Sequence, residues 1–422
     1  MTVDSSGNVW IAGQTDGAFT GYTNGGGQDA FFAKYSSTGS FTASTTTVKQ
    51  LGNAGDDVIK CIKVDSSGGI FIAGQTSGNM YEANAGGTDI FIAKYNSSFG
   101  QSWVWQFGNA SPAGGSNTGN DTVTDCALDS AGNFYVVGNT TGNFATNVIV
   151  GTADGYILKL DGGSGAPSDL NGGAAGIAYA LGVVATATTI NSIYIDGSDN
   201  VYVGGVVNGN LDVDGSGDTH HAAGDLYFLR VSSAFASPLD RILNNAGASA
   251  AGAETGGYVS ADSSGNIYLA GVTNGATIAM TGAISDNQVG GDDAVIATWD
   301  STGTPTQMLI DGTAAGNETV SGLAVRNSSV WVSGTTTDAF SGYTNAGGTD
   351  AYLARFNTSL AISSVHQLGS TGNDPLTKLV VDSNDYAFIT GNASAVLPNS
   401  IQTTVGDQQW FIAKYNNSGS QQ

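Results

Sequence analysis

The sequence predicts an all-β fold, a seven-bladed β-propeller of four-stranded antiparallel blades, and three observations support this. First, the stretch V-D-S-S-G-N-V-W-I-A-G at residues 3–13 returns in six further copies, with intervals of 57 to 67 residues. A fixed long period is the signature of a repeat architecture. Second, two strands of each copy are apolar at consecutive positions, so both faces of each sheet must be covered. Third, each copy contains four short strand segments, and radial stacking of such four-stranded units leaves only short exposed edges.

Each copy contains the same elements in the same order. The first strand ends at an Asp, and a tight turn follows in which the carboxylate accepts backbone N–H groups and Gly or Asn adopts positive φ. The second strand has an aromatic residue at its second position and ends at an anchoring glycine. The third strand begins with Asp in six copies and with Gln409 in the seventh, and a weaker fourth strand follows most copies. The anchoring glycines are Gly13, Gly74, Gly138, Gly205, Gly271, Gly334 and Gly391.

The repeat continues without a change of composition, so residues 1–422 are predicted to form a single β-propeller domain. A β-sandwich or a β-helix is the alternative, but a sandwich does not explain the long period and a β-helix rung is shorter. The seventh copy lacks an outermost strand after Lys414 and Tyr415. We expect either a three-stranded seventh blade or its completion by a longer polypeptide. An open edge of this kind favours pairing, including self-assembly.

Aspartate dominates the charge of the chain. The 35 acidic and 12 basic residues give a formal net charge of −23, and only Glu82, Glu254 and Glu318 are glutamates. Aspartate favours turns because its short side chain bonds the backbone, so this bias predicts many turns and few helices. Nucleic acid is not expected as a partner, because phosphate binding requires clustered Lys and Arg.

Two cysteines, Cys61 and Cys126, lie in corresponding strands of adjacent repeats. They are one position out of phase, so we expect their side chains to point to opposite faces and to remain free, half-buried thiols. No signal peptide, lipidation motif or apolar run of membrane length is found, and membrane insertion is not expected. Met1 stands directly before the first repeat, so an export signal can lie outside this chain.

These residues resemble a known family, the SBBP-type bacterial β-propeller repeats. The family motif is V-D-x-x-G-N-V-Y-V-A-G-x-T followed by G-G-x-D-A-F-V-A-K. Residues 3–15 with 26–34, and 64–76 with 86–94, are similar to it, and the resemblance extends with decay over all seven copies. The resemblance implies a β-propeller in an exported or surface protein, while the motif indicates little about function.

One position of the third strand holds half of the basic residues. We expect each cation to pair with a carboxylate, for example the turn Asp, in a repeated tie between strands. A functional ring of cations lining a channel is the alternative. The cations are Lys34, Lys94, Lys159, Arg230, Arg355 and Lys414, with Thr298 as the exception, and the turn residues are Asp4, Asp65, Asp129, Asp196, Asp262 and Asp382.

A local exception to the repeat lies at residues 211–221. The oxygen-bearing side chains fall at alternate positions, with Gly217 at the bend, which resembles the first half of a calcium loop. The candidate ligands are Asp212, Asp214, Ser216 and Asp218. The twelfth position is Ala223 instead of a bidentate Glu, so further oxygens, for example from Asp225, are needed. The alternative is a polar, glycine-rich excursion, and the adjacent His220 and His221 are interpreted as a solvated pair.

The loops between strands two and three are the default recognition surface of a propeller. Blades one and six share nearly the same loop, so Tyr22, Asn24, Tyr343 and Asn345 are candidates for docking a sugar or a peptide. The alternative is that each Tyr packs over a turn.

No catalytic residue is predicted. The pairs Asp56-Asp57 and Asp292-Asp293 are interpreted as turn caps, and His366 has no neighbouring nucleophile in the sequence.

The leading functional prediction is a non-enzymatic structural or recognition module of an exported bacterial surface, filament or adhesion protein. Such a module would be extracellular and would present its blade loops to a protein or glycan partner. One alternative is a virion component, either a fibre or a decoration protein. Another is a calcium-dependent propeller hydrolase or lyase, which requires acidic or His residues outside the repeat pattern; the sequence offers these only in blade four.

Overall fold

The turn between the first two strands of each repeat is held by its aspartate. In the first repeat, Oδ1 of Asp4 accepts the backbone N–H groups of Ser6 and Asn8 at 3.0 and 2.9 Å. Gly7 has a φ of 78°, in the left-handed region that glycine adopts without strain. Corresponding pairs of bonds are formed by Asp65, Asp196, Asp262 and Asp382. The predicted turn chemistry is therefore present along the chain.

The computed structural model describes residues 1–41, 44–107, 119–143, 150–168, 178–215, 217, 224–245, 253–274, 277–280, 284–287, 291–313, 316–398 and 409–422. The chain divides into two compact units, one of Met1–Val201 with Val231–Ser237, the other of Tyr202–Arg230 with Pro238–Gln422. The described residues are strands, turns and irregular segments, and no helix occurs among them. Accordingly, none of them forms a helix with the length and apolarity that a bilayer crossing requires.

The first unit holds three complete four-stranded antiparallel sheets, β1-β2-β3-β4, β5-β6-β7-β8 and β9-β10-β11-β12, and the first strand of the fourth repeat. Its strands are β1 (Thr2–Val3), β2 (Val9–Thr15), β3 (Asp29–Tyr35), β4 (Val48–Leu51), β5 (Asp57–Val64), β6 (Ile70–Thr76), β7 (Asp89–Tyr95), β8 (Gln101–Phe107), β9 (Asp121–Leu128), β10 (Phe134–Thr140), β11 (Asp154–Leu160), β12 (Ala178–Leu181) and β13 (Thr188–Ile195).

The second unit holds the other strands, apart from the terminal residues Val201 and Val231 of two of them. They are β14 (Val201–Val207), β15 (Asp225–Val231), β16 (Leu239–Asn245), β17 (Glu254–Ala261), β18 (Ile267–Thr273), β19 (Thr277–Met280), β20 (Ile284–Asn287), β21 (Asp293–Trp299), β22 (Pro305–Asp311), β23 (Gly322–Arg326), β24 (Ser329–Thr336), β25 (Asp350–Asn357), β26 (Ile362–Leu368), β27 (Leu376–Val381), β28 (Ala387–Ala393) and β29 (Gln409–Tyr415).

In the second unit, β17-β18-β21-β22 and β23-β24-β25-β26 are four-stranded sheets, and β27-β28-β29 has three strands. The hairpin β19-β20 adds to the edge of β16 through Asn244 and Asn245. The fold is a seven-bladed β-propeller of antiparallel blades, which confirms the predicted fold class. The described part of the seventh blade has three strands, one of the two alternatives expected from the sequence.

The second and third strands of a blade are covered on both faces. In the second blade, residues 70–73 of β6 and 90–93 of β7 are all fully buried. The ring of Phe71 lies 5.1 Å from that of Phe134 in the third blade. On the other face, Ile72 and Phe91 belong to a cluster with Trp10 of the first blade. This two-sided burial explains why the strands are apolar at consecutive positions.

The basic residue of the third strand lies over the aromatic residue of the second strand, directly across the ladder. Trp10 faces Lys34, and Phe71 faces Lys94, whose Nζ atom is 4.5 Å from the ring centroid. The same Nζ atom is 3.6 Å from the Asp65 carboxylate. The predicted tie to the turn Asp is confirmed for Lys34, Lys94 and Lys159, whereas Arg355 pairs with Asp385 and Lys414 lies over Tyr386 and Phe388.

Three fourth strands share the pattern Val-x-Gln-(Leu or Phe)-Gly, which starts at Val48, Val104 and Val365. The glutamine joins two elements of its blade. In the first blade, Nε2 of Gln50 donates to Asp29 at 2.8 Å, and Oε1 accepts the backbone N–H of Phe19 at 2.9 Å. Gln106 and Gln367 form the same pair of bonds. The pattern therefore fixes the loop between strands two and three to the sheet.

Cys61 and Cys126 form a disulfide between β5 and β9, so the prediction of two free thiols is wrong. The two cysteines are indeed one position out of phase. Cys61 pairs across the ladder with Ala73, one residue before the anchoring Gly74, whereas Cys126 pairs with Val136, two residues before the anchoring Gly138. The two side chains do leave opposite faces of their own sheets. In stacked blades, however, one face of a sheet meets the opposite face of the next, and both cysteines lie in the same buried cluster.

We expect the double variant Cys61→Ala/Cys126→Ala to lose about 4 kcal/mol of unfolding free energy, because the cross-link closes a long loop in the unfolded chain. Chemical denaturation of the oxidised wild type and the variant measures this loss. The reduced wild type is the control and should match the variant. An unchanged denaturation midpoint in both would contradict the stabilising role of the disulfide.

Candidate functional site

Three aspartate side chains converge in the fourth repeat. Asp212 and Asp214 lie in the segment between β14 and β15, and Asp240 lies on the fourth strand, β16. One carboxylate oxygen from each lies within 4.8 Å of the others, the one such group of three found among the described residues. Asp240 is fully buried, whereas Asp214 is half-buried and Asp212 is exposed. The cluster is therefore acidic and partly accessible to solvent.

Asp240 holds the start of the loop in place. Its Oδ1 atom accepts the backbone N–H groups of Val213 and Asp214 at 3.0 and 2.8 Å. Two backbone donors therefore meet at one oxygen of this buried carboxylate. The exposed Asp212 accepts the N–H of Gly217 at 3.1 Å, so its carboxylate turns back over the loop.

Arg241 lies beside the three carboxylates. Its guanidinium Nη1 atom is 2.7 Å from Oδ2 of Asp214, and the same nitrogen donates to the backbone carbonyl of Asp240. Its Nε atom donates to the carbonyl of Gly303 at 3.0 Å. The formal charge of the three carboxylates and the one guanidinium is −2, which matches a divalent cation.

The sequence predicts two of these aspartates as ligands and not the third. Asp212 and Asp214 are in the predicted calcium loop, whereas the predicted ligands Ser216 and Asp218 lie outside the described residues, as do His220 and His221. Asp240 was missed although the repeat marks it. It stands opposite Leu229 on the third strand, where the first and second blades place Val48 opposite Ala33 and Val104 opposite Ala93. A buried carboxylate at a valine position was therefore the available signal.

The predicted recognition residues of blades one and six share one geometry. The hydroxyl of Tyr22 donates to the carbonyl of Val48 at 2.9 Å, and that of Tyr343 donates to Val365 at 2.9 Å. The Asn24 amide donates to the carbonyls of Asp16 and Gly27. Asn345 likewise donates to the carbonyl of Thr337 and accepts the N–H of Gly347. These polar groups fix the loops, although Tyr343 remains 37% exposed.

His366 lies on the outer strand of the sixth blade, next to Tyr343. The hydroxyl of Tyr343 and Nδ1 of His366 are 3.2 Å apart, and burial lowers the pKa of the imidazole. The ring of Tyr415 lies 5.2 Å from the imidazole. The histidine therefore packs between two tyrosines, where a neutral ring is favoured.

Buried carboxylates recur at the ends of the strands, next to the loops. The first residue of the third strand is an Asp with at most 1% exposure in six blades, and the first strands begin with Asp57, Asp121 and Glu254. Burial raises the pKa of Asp121 to about 7, and the charge of Asp89 adds to this. Burial also raises the pKa values of Asp57, Asp89 and Glu318. Part of the formal charge of −23 is therefore suppressed near neutral pH.

Comparisons with known proteins show similarity of fold alone. No family model and no curated protein matches the sequence. A solved structure of a protein of unknown function from Dyadobacter fermentans is similar over 84% of this chain and 92% of its own, at 11% identity and a TM-score of 0.44. The NanB sialidase of Streptococcus pneumoniae is similar over 92% and 64%, at 10% identity and a TM-score of 0.39. The Synechocystis apocarotenoid oxygenase is similar over 93% and 85%, at 9% identity and a TM-score of 0.44.

These findings correct the functional prediction. The prediction of a non-enzymatic structural or recognition module of a surface, filament or adhesion protein is wrong, because the similar structures include two enzymes, the sialidase and the oxygenase. The similarity of fold supplies no evidence for a surface module. Likeness at this level of identity does not carry those enzymes' activities to this chain either.

Stability should rise on mild acidification. A carboxyl with a raised pKa in the folded state holds a proton that the unfolded chain has released, so the unfolding free energy falls as pH increases from about 4 to 7. We expect Asp121→Asn to reduce the change in unfolding free energy between pH 5 and pH 8 by about 2 kcal/mol. Urea denaturation across this range measures it.

Asp161→Asn is the matched control. The carboxylate of Asp161 is exposed, and bonds from Ser164 lower its pKa, so this group titrates below the tested range. The control should reproduce the wild-type pH dependence. A wild type that loses stability between pH 8 and pH 5 would contradict the account.

Proposed function

We propose that this chain is a calcium-binding β-propeller domain, with Asp212, Asp214 and Asp240 as ligands. The observation that carries the proposal is the position of Asp240. A strand position that holds valine in three other blades holds a buried carboxylate here, and it lies within 4.8 Å of two loop carboxylates. Burial of a carboxylate is costly unless an ion or hydrogen-bond donors compensate for it.

The ligand chemistry suits calcium among the common ions. Ca²⁺ takes six to eight oxygen ligands in flexible geometry and favours carboxylates. Three aspartates converge here, and Ser216 and Asp218 continue the alternating spacing of oxygen-bearing side chains in the sequence. The formal charge of −2, with Arg241 included, is the charge that one calcium ion neutralises. The carboxylates are engaged by Arg241 and by the backbone of the loop, so the role proposed is ion binding and not catalysis.

The disulfide supports an oxidising compartment as the site of action. Disulfides persist in secreted and cell-surface proteins and are rare in the cytosol. The Cys61–Cys126 bridge joins two strands at buried positions. An extracellular setting supplies calcium at levels that suit weak sites with dissociation constants of about 10⁻⁴ to 10⁻³ M. We therefore propose that the domain is exported and is loaded with calcium outside the cell.

Calorimetric titration of EDTA-stripped protein with CaCl₂ tests the proposal. We expect one saturable site, and an increase in unfolding free energy of about 2.7 kcal/mol at a hundredfold excess over the dissociation constant. Asp240→Asn keeps the shape of the side chain and removes one charge, so we expect at least a tenfold loss of affinity.

Asp16→Asn is the control, because it removes the same charge from an exposed position outside the cluster. It should bind calcium as the wild type does. Near-UV circular dichroism establishes that both variants are folded. Equal calcium affinity in Asp240→Asn and the wild type would exclude the cluster as the binding site.

A further inference from the structure

A cavity lies between the fifth and sixth blades, within the second compact unit. Its walls include Ile296 of β21, Val332 of β24 and Phe356 of β25, each with at most 2% exposure. The space open to the centre of a water-sized particle is about 10 Å³, roughly what one such particle requires. Asp311 and Phe340 also line the cavity and are half-buried, so they mark its open end.

Asp311 departs from the repeat. It is the last residue of the fourth strand, β22, and stands opposite Ala294 of the third strand. The same position holds leucine or phenylalanine in the five other blades with a described fourth strand, in the pairs Ala30–Leu51, Ile90–Phe107, Gly155–Leu181, Leu226–Leu243 and Ala351–Leu368. A carboxylate therefore takes the place of an apolar side chain at the open end of the cavity.

The surrounding side chains do not compensate the charge of Asp311. Among the described residues, no Lys, Arg or side-chain donor contacts its carboxylate. Burial raises the pKa of Asp311, the backbone N–H of Gly312 opposes this in part, and the charge of Asp293 adds to it. A cation beside the carboxylate would offset both the burial and the neighbouring negative charge.

The rest of the lining suits an organic cation better than a metal ion. Three aromatic residues, Phe340, Tyr352 and Phe356, line the cavity. The hydroxyl of Tyr352 already donates to the carbonyl of Thr319 at 2.8 Å. Aromatic rings attract ammonium groups, whereas calcium requires about six to eight oxygen ligands, which one carboxylate does not supply.

We propose that this cavity binds the ammonium group of a primary alkylamine, with the nitrogen beside the Asp311 carboxylate and the aromatic rings. An ammonium group is similar in size to a water molecule, so it matches the available space. Its alkyl chain leaves through the open end, next to Phe340. The cavity shares no residue with the Asp212, Asp214 and Asp240 cluster, so this inference is independent of the calcium site.

Calorimetric titration with propylammonium chloride, in an amine-free cacodylate buffer at constant ionic strength, tests the proposal. We expect one saturable site. Neutral 1-propanol should not bind, and neither should tetramethylammonium, which is charged but too large for the cavity. Asp311→Asn keeps the shape of the side chain and removes its charge, so we expect the dissociation constant to rise at least tenfold.

A second variant separates loss of binding from loss of fold. Asp311→Leu restores the residue of the other blades and removes a half-buried charge, so the melting temperature should rise while propylammonium binding is lost. Asp16→Asn removes an exposed charge outside the cavity and should bind as the wild type does. Equal propylammonium affinity in Asp311→Leu and the wild type, equal binding of propylammonium and 1-propanol, or no saturable binding to the wild type would overturn the proposal.

Discussion

The whole structure depends on one constraint: the second and third strands of each blade are apolar on both faces. Exposure of either face to water is therefore unfavourable. A sheet of this kind requires a neighbour on each side, so a single repeat cannot fold alone. In the second blade, one face packs on the third blade through Phe71 and the other on the first blade through Ile72 and Phe91. The same stacking places Cys61 against Cys126.

Polar groups at the strand ends join the strands of a blade to one another, in addition to the apolar packing between blades. The buried Asp at the start of a third strand accepts bonds from the fourth-strand glutamine, as in the Gln50–Asp29 and Gln106–Asp89 pairs. At the opposite end of the strand, the cation–aromatic pairs tie the third strand to the second. Acidic residues are therefore structural in most blades, and charge alone does not mark a functional site in this chain.

Much of the fold could be predicted from sequence because the seven copies of the repeat can be aligned with one another. The turn Asp, the aromatic of the second strand and the cation of the third strand recur in register, and three of the cation ties form as expected. The disulfide could not be derived from the phase of a strand within its own sheet, because contact between blades depends on which faces of two sheets meet.

Only part of the candidate site could be predicted, because one of its aspartates lies on a separate strand. Asp212 and Asp214 are close in sequence, and their spacing indicates oxygen ligands. Asp240 comes from a different strand, and its proximity depends on the pairing of β15 with β16. Comparison of the fourth strands with one another would have marked it, since an aspartate there replaces a valine. Arg241, which moderates the charge of the cluster, becomes apparent only in the folded chain.

A crystal structure of the protein grown with calcium would show directly whether the three carboxylates bind the ion. We expect one ion bound by carboxylate oxygens of Asp212, Asp214 and Asp240 at about 2.3 to 2.6 Å, with the Arg241 guanidinium moved away from Asp214. An Arg241–Asp214 ion pair that persists at saturating calcium, with no ion among the three carboxylates, would contradict it.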